Sequence, residues 1–465
     1  MPFSKDSSCI ILQQEGISFK HKDRSSRYLT LLDTLLSSNL HSSFPVIFKN
    51  QYDLKAFYRL INNKAINMET FIEGYQKGLQ RYSEGIGDKE FWLLVHDTMF
   101  TDYNSRAVDL GYTQTIHSNG FLLHHSLLLD SSFVPLGLLH QEVYHREKSD
   151  FGKRHLCNTK EIQDKESNKW LNGIKTGQAF TQETQRPLIH IMDREADIEA
   201  VIQQCQNTSQ HFIIRARHDR STLNHTEREK VENKEAYRLF QLMRNASNKQ
   251  IITRVLKDDK GNEYEAQCYL YYDSFVFRGL QQKVNSVWLQ EIKEENKTGV
   301  EWFLLTNLNL ANENDATHII TLYAKRWTIE DFHKCYKTGC SIEQRQFDSR
   351  KTLTTVIAFL ALPAVVLLRS RYLAKIKPDE SIDEIITDIE TKNIVNTLAE
   401  KYLKPIDYSI CKKNTVLWWV LLLGRMGGHQ GYKQKGLPGW QTIWKGYAYF
   451  QQVVEVNNLL LKNTS

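Results

Sequence analysis

Two acidic side chains stand at the ends of separate apolar runs. Asp97 follows FWLLVH (91–96) and Asp193 follows PLIHIM (187–192), and both runs have the pattern of buried strands. Strand-end carboxylates converge at one edge of a sheet, where they repel each other unless divalent cations neutralise them. The competing reading gives Asp193, Glu195 and Asp197 a capping role at the N-terminus of the helical segment that follows.

The second chemical feature is the segment YAKRWTIEDFHKCYK, which carries Tyr323, Arg326, Glu330 and Lys337. At roughly 100° per residue these four fall within an arc of about 60° on an unbroken helix. An amphipathic helix normally buries aliphatic residues on such a stripe, whereas this one offers a phenol, a guanidinium, a carboxylate and an ammonium. A salt-bridged surface using Arg326 and Glu330 is the alternative.

The elements that must position these groups can be read from periodicity. FLLHHSLLLD (121–130) and VPLGLLHQEVY (134–144) predict a hairpin, DIEAVIQQCQ (197–206) a helix, and HFIIRAR (211–217) a further strand. The order is a strand, a hairpin, then strand-helix-strand. From Arg220 to about Gly299 the chain turns polar, with short strands around IITRVL, EAQCYLYY and KVNSVWLQEI and a hairpin signal at Asp258 to Asn262. EWFLLTNL (301–308) predicts a strand, Asp315 to about Thr338 a helix, and 352–465 mostly helix. Helical segments near 27–38 and 53–62 suggest a small N-terminal helical domain.

Several motifs in the same order resemble the bacterial DDE transposases of the insertion-sequence-four family, in the branch marked by Y-x2-R-x3-E-x6-K. They are HDT, LLLDSSFVPLGLLHQE, DKESNKWL, HIMDREADIEA, FIIRARHDR, YAKRWTIEDFHKCYKTG and GRMGGHQGYKQKGLPGWQTIWKGY, within residues 22–450. The resemblance implies an α/β fold: a ribonuclease-H-like core of mixed sheet flanked by helices, with a β-rich insertion and helical domains at both ends. Its domains would be 1–75 for end binding, 76–370 for catalysis with the insertion at about 221–299, and 371–465 for dimerisation.

The resemblance further implies that Asp97, Asp193 and Glu330 hold two Mg²⁺ ions, replaceable by Mn²⁺, for in-line phosphodiester displacement. By the same analogy the site nicks, forms and opens a DNA hairpin, and transfers the 3′ end to target DNA. Tyr323, Arg326 and Lys337 would grip phosphates near the scissile bond, Arg215 the hairpin end, and Arg217 a second phosphate. Trp302 would stack on a flipped base. In KHKDRSSR and LKAFYRLINN, Arg24, Arg27, Lys55 and Arg59 would meet phosphates of the transposon end, although residues 1–19 do not resemble the family's opening helix. The implied partners are double-stranded DNA and a second copy of the chain, in the bacterial cytoplasm at the nucleoid. The alternatives are a catalytically silent DNA-binding inhibitor of transposition and a plain metal-dependent nuclease.

Composition leaves room for this reading and removes others. The chain has 465 residues, 41% hydrophobic and 25% charged, which disfavours collagen-like, disordered and disulfide-scaffold classes. Sixty Lys and Arg against 54 Asp and Glu permit a polyanionic partner without requiring one. Seven cysteines with no CxxC pair suggest reduced thiols and no zinc. The first residues lack a secretory-signal pattern. The uncharged run from Thr352 to Leu368 only reaches the lower limit for a membrane span and contains Pro363, so a buried core helix is expected. No phosphate loop, GxGxxG or HExxH motif is present, so no nucleotide cofactor is expected.

Overall fold

The computed structural model describes residues 9–19, 22–36, 38–86, 90–103, 108–153, 161–223, 225–257, 263–280, 282–293, 299–386, 388–431 and 436–464. The expected hairpin turn at 258–262 lies outside these residues.

Among the described residues nine strands form a mixed sheet: β1 (Trp92–Phe100), β2 (Leu122–Leu129), β3 (Pro135–Tyr144), β4 (Leu188–Met192), β5 (His211–Arg215), β6 (Lys249–Lys257), β7 (Glu263–Phe275), β8 (Val284–Glu291) and β9 (Glu301–Thr306). Their order is β3-β2-β1-β4-β5-β9-β8-β7-β6. β1 runs parallel to β4, and β4 to β5, with the helices Asn168–Thr184 and Glu199–Asn207 in the connections. Every residue of β4 is buried, as parallel strands covered on both faces require. The strands expected between Arg220 and Gly299 do form, and they extend the same sheet antiparallel through β9.

By contacts the chain divides into two compact units that interleave along the sequence: 1–88, 98–154 and 329–465 in one, 89–97 and 155–328 in the other. In the second unit Trp170, Val201, Ile202, Phe212, Ile214, Trp288 and Leu305 share a buried core.

The first unit contains the β2–β3 hairpin and most of the helices. Gly74 and Gly78 of the helix Met68–Gly85 let it cross the helix Cys9–Gly16 at backbone contact: a Cβ at Gly78 would lie 2.4 Å from Gln13 Cα. Tyr28, Phe71 and Phe359 pack ring to ring, and Tyr75 donates its hydroxyl to the Ala358 carbonyl at 3.0 Å. The helix Arg350–Ile376 is long and apolar enough to cross a membrane, yet 83% of its most apolar window is buried inside the protein. Its composition is that of a core helix. The six described cysteines are all free thiols.

A buried histidine pair lies beneath β1 and β4, on the sheet face opposite Asp97 by strand alternation. His96 Nε2 is 2.9 Å from His190 Nδ1, and His190 Nε2 is 3.4 Å from Gln210 Oε1. An amide oxygen only accepts, so His190 carries its proton on Nε2 and accepts from His96 through Nδ1. Gly177 leaves room for this ring: a Cβ there would stand 2.5 Å from His190 Cε1. Burial pushes His190 down to about 4. The folded chain thus binds fewer protons than the unfolded one between about pH 4 and about pH 6.5, and stability falls as the pH drops through that window, by roughly 3 kcal/mol. His190→Gln, compared with the parent by urea unfolding at pH 7 and 4.5, is expected to lose this part of the acid sensitivity. Identical pH dependence of the two proteins contradicts the assignment.

Candidate active site

The parallel register of β1 and β4 pairs Trp92 with Leu188 and Val95 with Ile191. The paired register stops there: Asp97 stands two residues further along β1, and Asp193 directly follows β4, so both acids lie beyond the same end of this ladder. The apolar runs become adjacent strands because both faces are covered; the expected strand-end position holds for Asp193, just past β4, whereas Asp97 lies within β1, which runs on to Phe100. Asp193 also caps the short 3₁₀ turn Arg194–Ala196, accepting from the Glu195 amide at 2.8 Å. The two readings of this residue are therefore compatible.

Burial raises the Asp193 carboxyl above the ordinary range. The Glu195 amide that it accepts works against the rise, the Glu195 carboxylate adds to it, and Arg326 and Lys169 oppose it. Arg326 is also the ion-pair partner of Asp97, with Nη1 3.6 Å from Oδ2 and side chains 14% and 17% exposed. One guanidinium thus acts on both acids. Its planar face lies 5.2 Å from the Trp327 ring centre. Lys169, which sequence reasoning did not single out, is 3% exposed and pairs with Glu166 and Glu195. A buried lysine within DKESNKWL was the available signal.

The expected uninterrupted helix around Glu330 is corrected by the structure. An α-helix runs over Glu313–Tyr323, a 3₁₀ turn over Ala324–Arg326, an α-helix over Trp327–Lys334 and a π-turn over Cys335–Gly339. A uniform 100° step does not describe such a segment, so the common arc read from the sequence does not follow. Tyr323 is buried, its ring 5.2 Å from Trp302 in an edge-on arrangement. Tyr323 Oη and Arg215 Nε are both buried, and the two side chains lie against each other. The other end of the Arg215 guanidinium donates to the Glu301 carbonyl at 2.7 Å. Burial raises Tyr323, opposed by Arg326 and Arg215, and burial lowers Arg215, opposed by Tyr323 and reinforced by Arg194 and Arg326.

Asp197 has a different role from the other acids of its motif. It is fully buried and accepts from the amides of Arg217 and His218 and from Arg220. This carboxylate fixes the chain just after β5 and leaves Arg217 exposed.

In the other unit, Glu330 is partly buried in the first turn of its helix. Lys337 pairs with Glu343 at 3.0 Å. Three residues after Glu330, His333 Nε2 meets His125 Nδ1 of β2 at 3.1 Å. Of the N-terminal cations, Arg27 is paired with Asp53, Arg24 is partly exposed, and Lys55 and Arg59 are exposed one turn apart on the helix Gln51–Ile61.

Among the described residues no group of three or more His, Cys, Asp or Glu side chains is arranged to hold a metal ion. Asp97 and Asp193 are hard oxygen donors, the donor type that suits a divalent cation.

Residues 171–365 match the family model of the transposase DDE domain. The match supports a DDE transposase, a polynucleotidyl transferase type of enzyme whose partner is DNA. Its span takes in Asp193, Arg215, Trp302, Tyr323, Arg326, Glu330 and Lys337, and leaves Asp97 and both ends of the chain outside.

Proposed function

We propose that this chain is a cut-and-paste transposase of the Y-R-E-K branch of the insertion-sequence-four family, with Asp97, Asp193 and Glu330 as its metal-binding carboxylates. The observation that carries the reading is Arg326, which pairs with Asp97 and acts on Asp193, both acids lying beyond the same end of the β1–β4 ladder. The family resemblance makes Glu330, four residues after Arg326, the third donor. Two Mg²⁺ ions held by these carboxylates, or Mn²⁺ in their place, would activate a water or a 3′-hydroxyl and stabilise the leaving oxygen.

The remaining residues position DNA. Tyr323 and Arg215, which lie against each other, would take a phosphate oxygen between them. Arg217, held by its backbone on Asp197, extends the phosphate contacts. Trp302 offers a ring edge-braced by Tyr323 for a flipped base. Lys337 exchanges Glu343 for a phosphate, while Tyr52, Lys55 and Arg59 share an exposed helix stripe suited to the transposon end, with Arg24 and Arg27 nearby in sequence.

A homodimer is supported by the C-terminal helix Trp440–Thr464. Tyr449, Val453, Val456 and Leu460 are exposed at the 4-3-4 spacing of a helix–helix seam.

Purified protein with labelled end DNA and Mg²⁺ tests the proposal. Double-strand cleavage through a hairpin, followed by joined products, is expected. Cleavage without joining favours the plain nuclease, and binding without cleavage favours the silent inhibitor.

A further inference from the structure

This inference rests on the metal-dependent reading of Asp97 and Asp193. Asp97 and Asp193 lie beyond the same end of the β1–β4 ladder, and a cation has to offset their charge when no divalent ion is bound. Arg326 does so: it lies 3.6 Å from Asp97, with both side chains largely withdrawn from solvent, and its charge reaches Asp193. Lys169 also acts on Asp193, but its ion pairs lie with other acids, Glu166 and Glu195. Arg215 donates to the Glu301 carbonyl.

A divalent ion ligated by Asp97 meets that guanidinium at a separation where like charges repel strongly in a partly buried site. Arginine stays charged at any accessible pH, so it cannot yield by losing a proton. It yields by moving. Arg326 ends a 3₁₀ turn set between two α-helices, a place where the hydrogen-bond ladder changes register and hinges are common. The exposed ring of Trp327 beside it offers a surface along which the guanidinium can turn.

We propose that Arg326 is the resident counter-ion of the Asp97–Asp193 pair and that it must leave Asp97 before a divalent ion loads, passing to a DNA phosphate. The exchange makes and breaks ion pairs only, and every charge keeps a partner. Metal loading is thereby coupled to DNA engagement, which keeps the unbound protein from acting as an indiscriminate nuclease.

The test is Mn²⁺ binding to the full chain, followed by electron paramagnetic resonance without DNA. Arg326→Gln is expected to bind Mn²⁺ roughly tenfold more tightly than the parent, and Asp97→Asn more weakly. If Arg326→Gln binds no more tightly while Asp97→Asn loses binding, the metal site stands and the counter-ion proposal falls. If no protein shows binding that depends on Asp97, the metal-dependent reading falls with it. A second measurement avoids reliance on a folded Arg326 variant. Adding duplex DNA to the parent should tighten the Asp97-dependent part of Mn²⁺ binding, obtained by subtracting Asp97→Asn with the same duplex. An unchanged Asp97-dependent affinity overturns the proposal.

Discussion

Asp193→Asn is expected to slow DNA nicking by roughly 10³-fold or more, about 4 kcal/mol of transition-state stabilisation, while DNA binding persists. The substitution is chosen because the Asn side-chain oxygen can still accept from the Glu195 amide, so the cap on the Arg194–Ala196 turn is retained. What is removed is the negative charge. Losing that charge should also strengthen phosphate binding slightly, since Arg326 then answers to one carboxylate instead of two. Asp197→Asn separates chemistry from architecture. Asp197 is committed to Arg217, His218 and Arg220, so its loss should loosen the segment after β5 and weaken DNA contacts. Nicking assays on a labelled duplex, run beside filter binding, distinguish the two. A variant at position 193 that nicks at the parent rate removes this residue from the reaction.

The second large effect concerns the C-terminal helices. Asp407 and Arg425 form a two-pronged ion pair, with Nε to Oδ2 at 2.9 Å and Nη2 to Oδ1 at 2.8 Å, each side chain 4% exposed. Arg425 also donates to the His429 and Gln430 carbonyls, and its guanidinium lies against Gly431, which has φ +73°. The glycine-rich motif that looked like a family signature is, locally, a turn wrapped on a buried arginine. Asp407→Ala strands that charge, and the expected loss is roughly 3–5 kcal/mol in stability. Replacing both partners by apolar residues of similar volume should cost far less. Urea unfolding of the single and double variants decides it. Equal losses in the two would show that the carboxylate matters for something other than pairing with Arg425.

The sequence was informative where burial alone dictates structure. The runs before Asp97 and Asp193 are apolar except for the paired His96 and His190 because their strands are covered on both faces, and the acids mark where the covering thins. The strand between Glu301 and Thr306 and the helix after Asp197 were legible for the same reason. Long-range pairing was not legible. Nothing near Arg27 in sequence announces Asp53, nothing near Lys337 fixes Glu343 as its partner, and the commitment of Asp197 to residues twenty positions on depends on how β4 and β5 align. The 3₁₀ and π turns flanking Glu330 were equally hidden. Local helix winding there answers to packing, as in the buried Tyr336, whose hydroxyl donates to the Ile357 carbonyl, and helix propensity carries no record of it.

The most direct test of the central claim is anomalous diffraction from crystals of the protein soaked with Mn²⁺ in complex with cleaved end DNA. The account predicts manganese peaks at roughly 2.0–2.2 Å from carboxylate oxygens of Asp97, Asp193 and Glu330, with Arg326 turned onto a phosphate. Manganese bound away from Asp97 and Asp193, or a Glu330 carboxylate outside its coordination sphere, contradicts it.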